Sequence, residues 1–401
     1  MRLRYKAVSQ EGKKIRGFVE AREVKDAAYY LRQRNLFPIE ISKEKEFFLL
    51  KKLPGAGKVK SKDLILFTRQ LSSMLASGLT LLKSLEILKD QTSNKILQET
   101  LGGILLDLEE GTTFSDSISK YPDIFPPVYV SLVKAGESSG LLDKIFLRLA
   151  TNLEKRRKLR NTVKGALMYP IIVIVLMIVV ILILMVFVIP QLSKLYDSLN
   201  VTLPLVTRIV VGASSFVGKL WTLLIGLIAI VMYAFLRWKK TPKGRETYDR
   251  NILRVPLFGR IIKQTILTEF SRTFGLLVGT GTLVVDALEQ SAGVTGNFVY
   301  EKTVKEIAKR VEKGIPVGEA MTYYPYFPPL LIQLVKVGEE TGKMDENLMK
   351  ASEYFEEEVN QAVKTLTTAM EPIIMVVLGI GVGFLVFSVI TPIYSILNSV
   401  Q

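Results

Sequence analysis

Neither cysteine nor histidine occurs anywhere in the 401 residues. Without cysteine the chain can form no disulfide framework and no thiolate metal site. Without histidine it lacks the commonest general base, the Ser-His and Cys-His nucleophile systems and the usual zinc ligand. Charge is missing just as completely from two long stretches: Ile171 to Ile189 carries none, and neither does Ile373 to the carboxyl terminus. With no Asp or Glu in a span, intramembrane aspartyl proteolysis and proton-coupled transport are disfavoured. The first fifteen residues contain no apolar run of the signal-peptide kind, so the amino terminus is expected to begin in the cytosol.

What is present is apolar length. Ile171 to Ile189, bracketed by Pro170 and Pro190, covers about 28 Å as a helix, close to the roughly 30 Å of a bilayer core. Leu220 to Leu236 is a second apolar run, with Trp221 at one end and Trp238 just past the other. These are the only two tryptophans, and membrane helices place them at interfaces. Lys219 would snorkel at the outer edge. Ile373 to Ile390 is the third run. It contains Gly379 and Gly383, a GxxxG pair suited to close helix packing and hence to self-association.

The basic residues give a direction. Lys155, Arg156, Arg157, Lys158, Arg160 and Lys164 precede the first run, and Arg237, Lys239, Lys240, Lys243, Arg245, Arg250 and Arg254 follow the second. Only Lys194, Arg208 and Lys219 lie between. By the positive-inside rule the large segments are cytosolic, while the short loop and the carboxyl-terminal tail face outward. The segment before the third run is acidic (Glu353, Glu356, Glu357, Glu358), so its side follows from the number of crossings instead. The net charge of +15 is read as this bias plus attraction to anionic membrane lipid. No basic stripe interleaved with aromatics is present to suggest nucleic acid.

The chain also repeats itself. Phe67 matches Phe270, Gly78 matches Gly281 and Gly111 matches Gly314, each 203 residues on. Tyr121-Pro122-Asp123-Ile124-Phe125-Pro126-Pro127 matches Tyr324-Pro325-Tyr326-Phe327-Pro328-Pro329 with one residue fewer, and the offset is 202 thereafter. Gly136-Glu137-Ser138-Ser139-Gly140 then matches Gly338-Glu339-Glu340-Thr341-Gly342, Asp143 matches Asp345, Met168-Tyr169-Pro170 matches Met370-Glu371-Pro372, and Pro190 matches Pro392. Leu64, Phe67, Leu71, Met74, Leu75 and Gly78 recur at helical spacing, as do Phe270, Phe274, Leu277, Val278 and Gly281. Each copy is expected to be an antiparallel bundle of short helices whose last helix feeds a span. The proline at each junction is absorbed as a kink or starts a new helix.

The fold class is therefore mainly α: a polytopic membrane protein with three transmembrane helices, two duplicated cytosolic helical bundles and a small α+β amino-terminal domain. That small domain (1–46) combines strands at Leu3 to Val8, Ile15 to Glu20 and Pro38 to Ser42, a turn at Gln10-Glu11-Gly12 and a helix from Val24 to Arg34. A Lys-rich linker (47–60) with Pro54-Gly55-Ala56-Gly57 leads to the first bundle (61–169), span one (170–190), an outer loop (191–208), span two (209–237), the second bundle (262–371) and span three (372–394).

Apparent chemistry does not stand up. Gly136 to Gly140 fits G-x-S-x-G, but no histidine exists to activate Ser138, and Glu340 replaces it in the second copy. Gly55-Ala56-Gly57-Lys58 ends like a P-loop, yet Val59 stands where Ser or Thr must hold magnesium. Glu137 with Asp143, or Glu339 with Glu340 and Asp345, offer carboxylates for a hard cation such as calcium, against the simpler reading of solvated helix ends. No catalytic residue, cofactor or metal site is expected.

These residues resemble the GspF/PilC family, polytopic inner-membrane platform proteins of type II secretion and type IV pilus assembly. The resemblance covers nearly the whole chain, from RYKAVSQEGKKIRGFVEA near the start through both copies. It includes the spacing of Ala166-Leu167-Met168-Tyr169-Pro170 to Val188-Ile189-Pro190. Thr162 and Met177 depart from that signature, the first standing where a basic residue or Gln is usual and the second where a small residue is usual. The resemblance implies a bacterial inner-membrane protein that is no enzyme. Its partners would be a cytosolic hexameric assembly ATPase, pilin or pseudopilin subunits, other components of the machine, membrane lipids and further copies of itself. A transporter or channel subunit is the alternative, and a membrane-anchored scaffold a third reading.

Overall fold

The computed structural model describes residues 2–9, 14–20, 36–43, 58–188 and 229–399, with single positions or pairs at 30, 190–191, 208, 212, 223 and 226–227. The expected turn at 10–12, nearly all of the helix at 24–34, most of the linker and the outer loop lie outside these residues, as does the first part of span two. Tyr30 is helical, and so are residues 229–240.

The chain divides into two compact units. The smaller contains an antiparallel sheet of β1 (Arg2–Ser9), β2 (Lys14–Glu20) and β3 (Leu36–Lys43), with β1 in the middle. All three expected strands are present, each extended by one to three residues. Pro38 sits in β3, an edge strand, opposite Ala7, and the register shifts between Lys6 and Ala7. An edge and a bulge are the two places where a strand tolerates a residue without an N–H.

The larger unit (residues 61–91 and 100–401) is helical and duplicated, with residues 92–99 grouped in the smaller. The first copy comprises α1 (Ser61–Ala76), α2 (Leu81–Gln91), α3 (Lys95–Glu109), α4 (Phe114–Ser119), α5 (Pro127–Ser139) and α6 (Leu142–Ile183). After α7 (Pro242–Ile252) comes the second copy. It comprises α8 (Phe258–Val278), α9 (Val284–Val294), α10 (Phe298–Glu312), α11 (Val317–Thr322), α12 (Pro329–Thr341) and α13 (Met344–Ser399). From α2 to α5 each helix begins and ends at the residue the repeat register assigns to its counterpart. The offset drops from 203 to 202 in the loop before α5. The lost residue is absorbed where the chain already turns.

The apolar faces land in the cores. Phe67 packs on Phe125 with ring centroids 6.1 Å apart, and Phe270 on Phe327 at 5.7 Å. The Phe of each Tyr-Pro…Phe-Pro-Pro segment is therefore a core plug held against the first helix. Phe125, Phe146 and Phe274 are fully buried, whereas Met74 and Leu75 are only half-buried. Gly78 and Gly281 end the first helices at φ 84° and 80°, Gly111 and Gly314 the third at 87° and 88°, and Gly140 and Gly342 the fifth at 71° and 68°. Only glycine holds such a φ without steric cost.

Two helices are long and apolar enough to cross a membrane. α6 has 42 residues and α13 has 56, roughly 63 Å and 84 Å long. Both run straight through the proline junction: Pro170 lies inside α6, and Pro372 inside α13. The junction is thus not the start of a new helix. Past it the helices are exposed on almost every side, as with Ile171, Leu176, Ile373 and Val376. An apolar core helix of a soluble domain would be buried. In the first span a π-helical turn occupies Leu184–Val188, immediately before Pro190, where the missing N–H would otherwise break the helical ladder.

The first helix of the second copy, α8, begins at Phe258. α7 lies outside both expected bundles; Thr241-Pro242 is its helix-start signal, the Thr241 hydroxyl accepting from the Gly244 N–H at 3.1 Å. Between α7 and α8 the chain makes a strained turn. Leu257 has φ 63° and ψ −55°, and the Phe258 N–H donates to Pro256 O at 2.7 Å. This is a three-residue turn of the rare kind, costing on the order of 1–3 kcal/mol.

Replacing Gly140 or Gly342 with alanine should destabilise the solubilised protein by about 1–2 kcal/mol each, from the left-handed backbone alone. Gly293→Ala, inside α9 with open space around its Cβ, should be neutral or stabilising by roughly 0.5–1 kcal/mol. Thermal unfolding in detergent compares the three.

Candidate coupling site between the helical copies

The two copies meet along α6 and α13, and these helices run in parallel. Lys155 on α6 pairs with Glu353 on α13 at 3.2 Å, and Arg156 reaches Glu269 on α8 at 2.9 Å. Arg148 donates to Gly279 O at 3.3 Å. Further along, Leu159, Ile261, Val359, Ala362, Val363 and Leu366 form one buried cluster, with Val163, Ala166, Leu167 and Met370 packed against it. That cluster ends just short of Pro170 and Pro372. One charge of the basic run before span one thus meets one of the acidic run before span three, while Glu356 and Glu358 of that run pair with Arg272 and Arg260 on α8.

Within each copy, the first helix is clamped to the helix that becomes a span. Arg69 on α1 makes a forked contact with Glu154 on α6, its Nε 2.8 Å from the carboxylate. Arg272 on α8 meets Glu356 on α13 at 2.6 Å. These are the same pair: Arg69 and Arg272 are 203 apart, Glu154 and Glu356 are 202 apart. The repeat register carries the signal that finds them.

The two clamps differ in surroundings. The Arg69 and Glu154 side chains are 37% and 41% exposed, whereas Arg272 is 1% exposed. Arg272 also faces Glu269 at 3.8 Å, and its Nε and Nη1 find no hydrogen-bond partner among the described residues. Beside it, Leu147, Arg148, Lys155, Gly275 and Asp345 line a cavity of about 370 Å³ between the copies. Burial pushes the Glu269 carboxyl above the usual glutamate range. Arg156 and Arg272 act against that, and Glu356 adds to it. The hydrogen bond from Arg69 holds Glu154 below that range.

The GExxG elements prove to be joints. The Glu137 carboxylate accepts from the N–H groups of Phe114 (2.6 Å) and Ser115 (2.9 Å), and Glu339 accepts from Val317 (2.8 Å) and Gly318 (3.1 Å). Each caps the start of the short fourth helix of its copy, where unpaired N–H groups favour a negative charge. Gly136 and Gly338 lie where the chain doubles back: a Cβ would stand 2.8 Å from Ile145 Cγ1 or from Met344 Cα. Gly140 and Gly342 end the helix. Asp143 lies in the first turn of α6 and Asp345 in that of α13, where it faces Gly279. Glu340 is exposed, one residue past the half-buried capping Glu339. Among the described residues no group of three or more acidic side chains is placed to hold a metal ion. Tyr169 is 62% exposed beside buried Pro170; Pro190 and Pro392 lie in helix. Nothing among the described residues covers Gly379 or Gly383.

Residues 67–190 and 270–392 each match the family described as "Type II secretion system (T2SS), protein F", and residues 4–42 match its N-terminal domain. The chain belongs to the GspF/PilC family. This family consists of platform proteins and is not known as one of enzymes; its duplicated domain accounts for the repeat. Among relatives, GspF/PilC members of both machines are similar over nearly the full length. A type IV pilus assembly protein PilC of Thermus thermophilus is 38% identical over 99% of this chain and 98% of that protein. PilC of Pseudomonas aeruginosa is 36% identical over 92% and 98%, and type II secretion system protein F of the same organism is 27% identical over 98% of each.

The clamps differ in what their loss should do. Arg272→Ala leaves Glu356 without its arginine and Glu269 with Arg156 alone and should cost about 3–5 kcal/mol, whereas Arg69→Ala, at an exposed pair, should cost at most about 1 kcal/mol. Chemical denaturation of the solubilised variants compares them. The folded state holds the Glu269 proton to higher pH than the unfolded chain does. Stability from this group therefore falls as pH rises above the ordinary value of 4.5. Glu269→Gln should gain on the parent across that window.

Proposed function

We propose that this chain is the inner-membrane platform on which a type IV pilus or type II secretion filament is built. It couples a cytosolic hexameric ATPase to the addition of pilin or pseudopilin subunits. The observation that carries this reading is mechanical. In both copies a single unbroken helix is bundle at one end and apolar span at the other, so a force on the bundle moves the span without a hinge. Nothing in the described site performs covalent chemistry, which fits a part that transmits work done elsewhere.

The topology follows from the same helices. α6 and α13 lie side by side and parallel, so if both cross the bilayer the chain must cross once more between them. Residues 209–237, helical where described from 229 on, supply that return. Both bundles then face the cytosol and the carboxyl terminus faces the periplasm. The uncovered Gly379 and Gly383 are open to a second copy, which supports self-association. Identities of 31–38% to pilus assembly proteins against 26–28% to secretion proteins favour the pilus machine.

Rigid coupling is tested by inserting a short Gly-Ser segment before Pro170 or Pro372. Either insertion should leave the protein in the membrane and bound to the ATPase on co-purification, yet abolish filament assembly. Filaments at the parent's level would overturn the coupling, and failure of the unaltered protein to co-purify with the ATPase would overturn the platform reading.

A further inference from the structure

The strained turn between α7 and α8 presents three apolar side chains to the outside. Val255, Leu257 and Phe258 are 43%, 41% and 40% exposed. A close backbone approach fixes their display: a Cβ at Gly259 would stand 2.4 Å from Leu253 O, and the Gly259 N–H donates to Val255 O at 2.7 Å. Strain held in place by such packing, with apolar groups turned outward, marks a functional surface more often than a folding accident.

Two observations say what covers it. The first is position. α8 runs antiparallel to α13: Gly275 lies against Leu348, and Ile261 lies in the cluster with Val363 and Leu366 that also receives Met370. One turn before Ile261, the Leu257 turn therefore reaches toward the end of α13 where Glu371 is the last charged residue and the span begins. The second is charge. Arg250, Arg254, Arg260 and Lys263 surround the turn and are exposed, against Glu246, which pairs with Arg250, and Glu358, which pairs with Arg260. Apolar tips ringed by cations at the level of a membrane entry suit the interface of an anionic bilayer.

We propose that the Leu257 turn is a membrane-surface anchor: Val255, Leu257 and Phe258 sit in the headgroup layer of the bilayer that α13 crosses, with Arg254 and its basic neighbours on lipid phosphates. The anchor rests on the membrane reading of α13. It gives the second bundle a fixed height over the lipid besides its span.

The chain has no cysteine, so single ones can be added cleanly. Val255→Cys and Phe258→Cys, which leave Leu257 alone, are labelled with an environment-sensitive fluorophore in the full-length protein. The protein is reconstituted in phosphatidylethanolamine–phosphatidylglycerol vesicles containing lipid with a nitroxide near the glycerol. Both sites should be quenched several-fold more strongly than Leu283→Cys, an exposed apolar position beyond the far end of α8. Quenching should fall by half or more in pure phosphatidylcholine or with Arg254→Gln added. Quenching no stronger than at Leu283, or a blue shift without quenching, which signals protein contact, would overturn the anchor. Equal quenching in both lipids would overturn its anionic preference. Val376→Cys within α13 is the separate control: if it too escapes lipid quenchers, the span reading fails rather than the anchor.

Discussion

The parallel packing of α6 against α13 is the constraint on which the rest depends. It joins the two copies and makes their two long apolar helices run the same way. The proposed topology, with its return crossing between them, follows from that direction. Its strength comes from the apolar cluster around Leu159 and Val363, since each fully buried aliphatic side chain is worth about 1.5–3 kcal/mol. The exposed ion pair beside it is worth at most about 1 kcal/mol. Hydrophobic contact holds the helices together, while charge decides how they are aligned.

Duplication has produced two copies of one architecture with unequal surroundings. The helix bounds, the three helix-ending glycines, the capping glutamates and the Arg–Glu clamp recur. What differs is the position beside the clamp: Glu269 in the second copy corresponds to Leu66 in the first. Leu66 is 53% exposed, whereas Glu269 is buried and takes the hand of Arg156 from the other copy. The first copy's α5 and α6 pack on the second copy's α8, α9 and α13, so different faces of the two copies are used. Such a contact is head-to-tail rather than two-fold. It buries one clamp and leaves the other in solvent.

Most of the architecture was legible because it is written in features that short-range rules decode. Period marked the first helix of each copy and the offset kept the copies in register, and Gly140 and Gly342 stand where a left-handed backbone requires them. The alternation of β1 and β2 was clear as well. What stayed hidden depended on partners far away in the chain. Glu137 and Glu339 looked like possible cation ligands, and nothing local shows that their carboxylates face helix starts 22 residues back. Lys155 and Arg156 obey the positive-inside rule, and nothing local shows that they pair with Glu353 on α13 and Glu269 on α8. The Leu257 turn was unreadable for a different reason: a non-glycine residue at positive φ violates local preference, and only surrounding packing enforces it.

Which contacts set the register of α6 on α13 can be argued from the acids themselves. Lys155 faces Glu353, but Glu357 lies one helical turn further along the same face, so a slip of one turn would give this lysine a new partner. That pair therefore tolerates sliding. Arg156 and Glu269 tolerate it in one direction only: a slip that brings Asn152 to Glu269 leaves a buried carboxylate with only Arg272 at 3.8 Å, whereas the opposite slip brings Arg160 to it. The apolar cluster adds its own resistance, because interdigitated side chains re-seat in whole turns rather than continuously. Register thus rests chiefly on the cluster, with the half-buried ion pair opposing a slip in one direction, at the level where the bundles hand over to the spans.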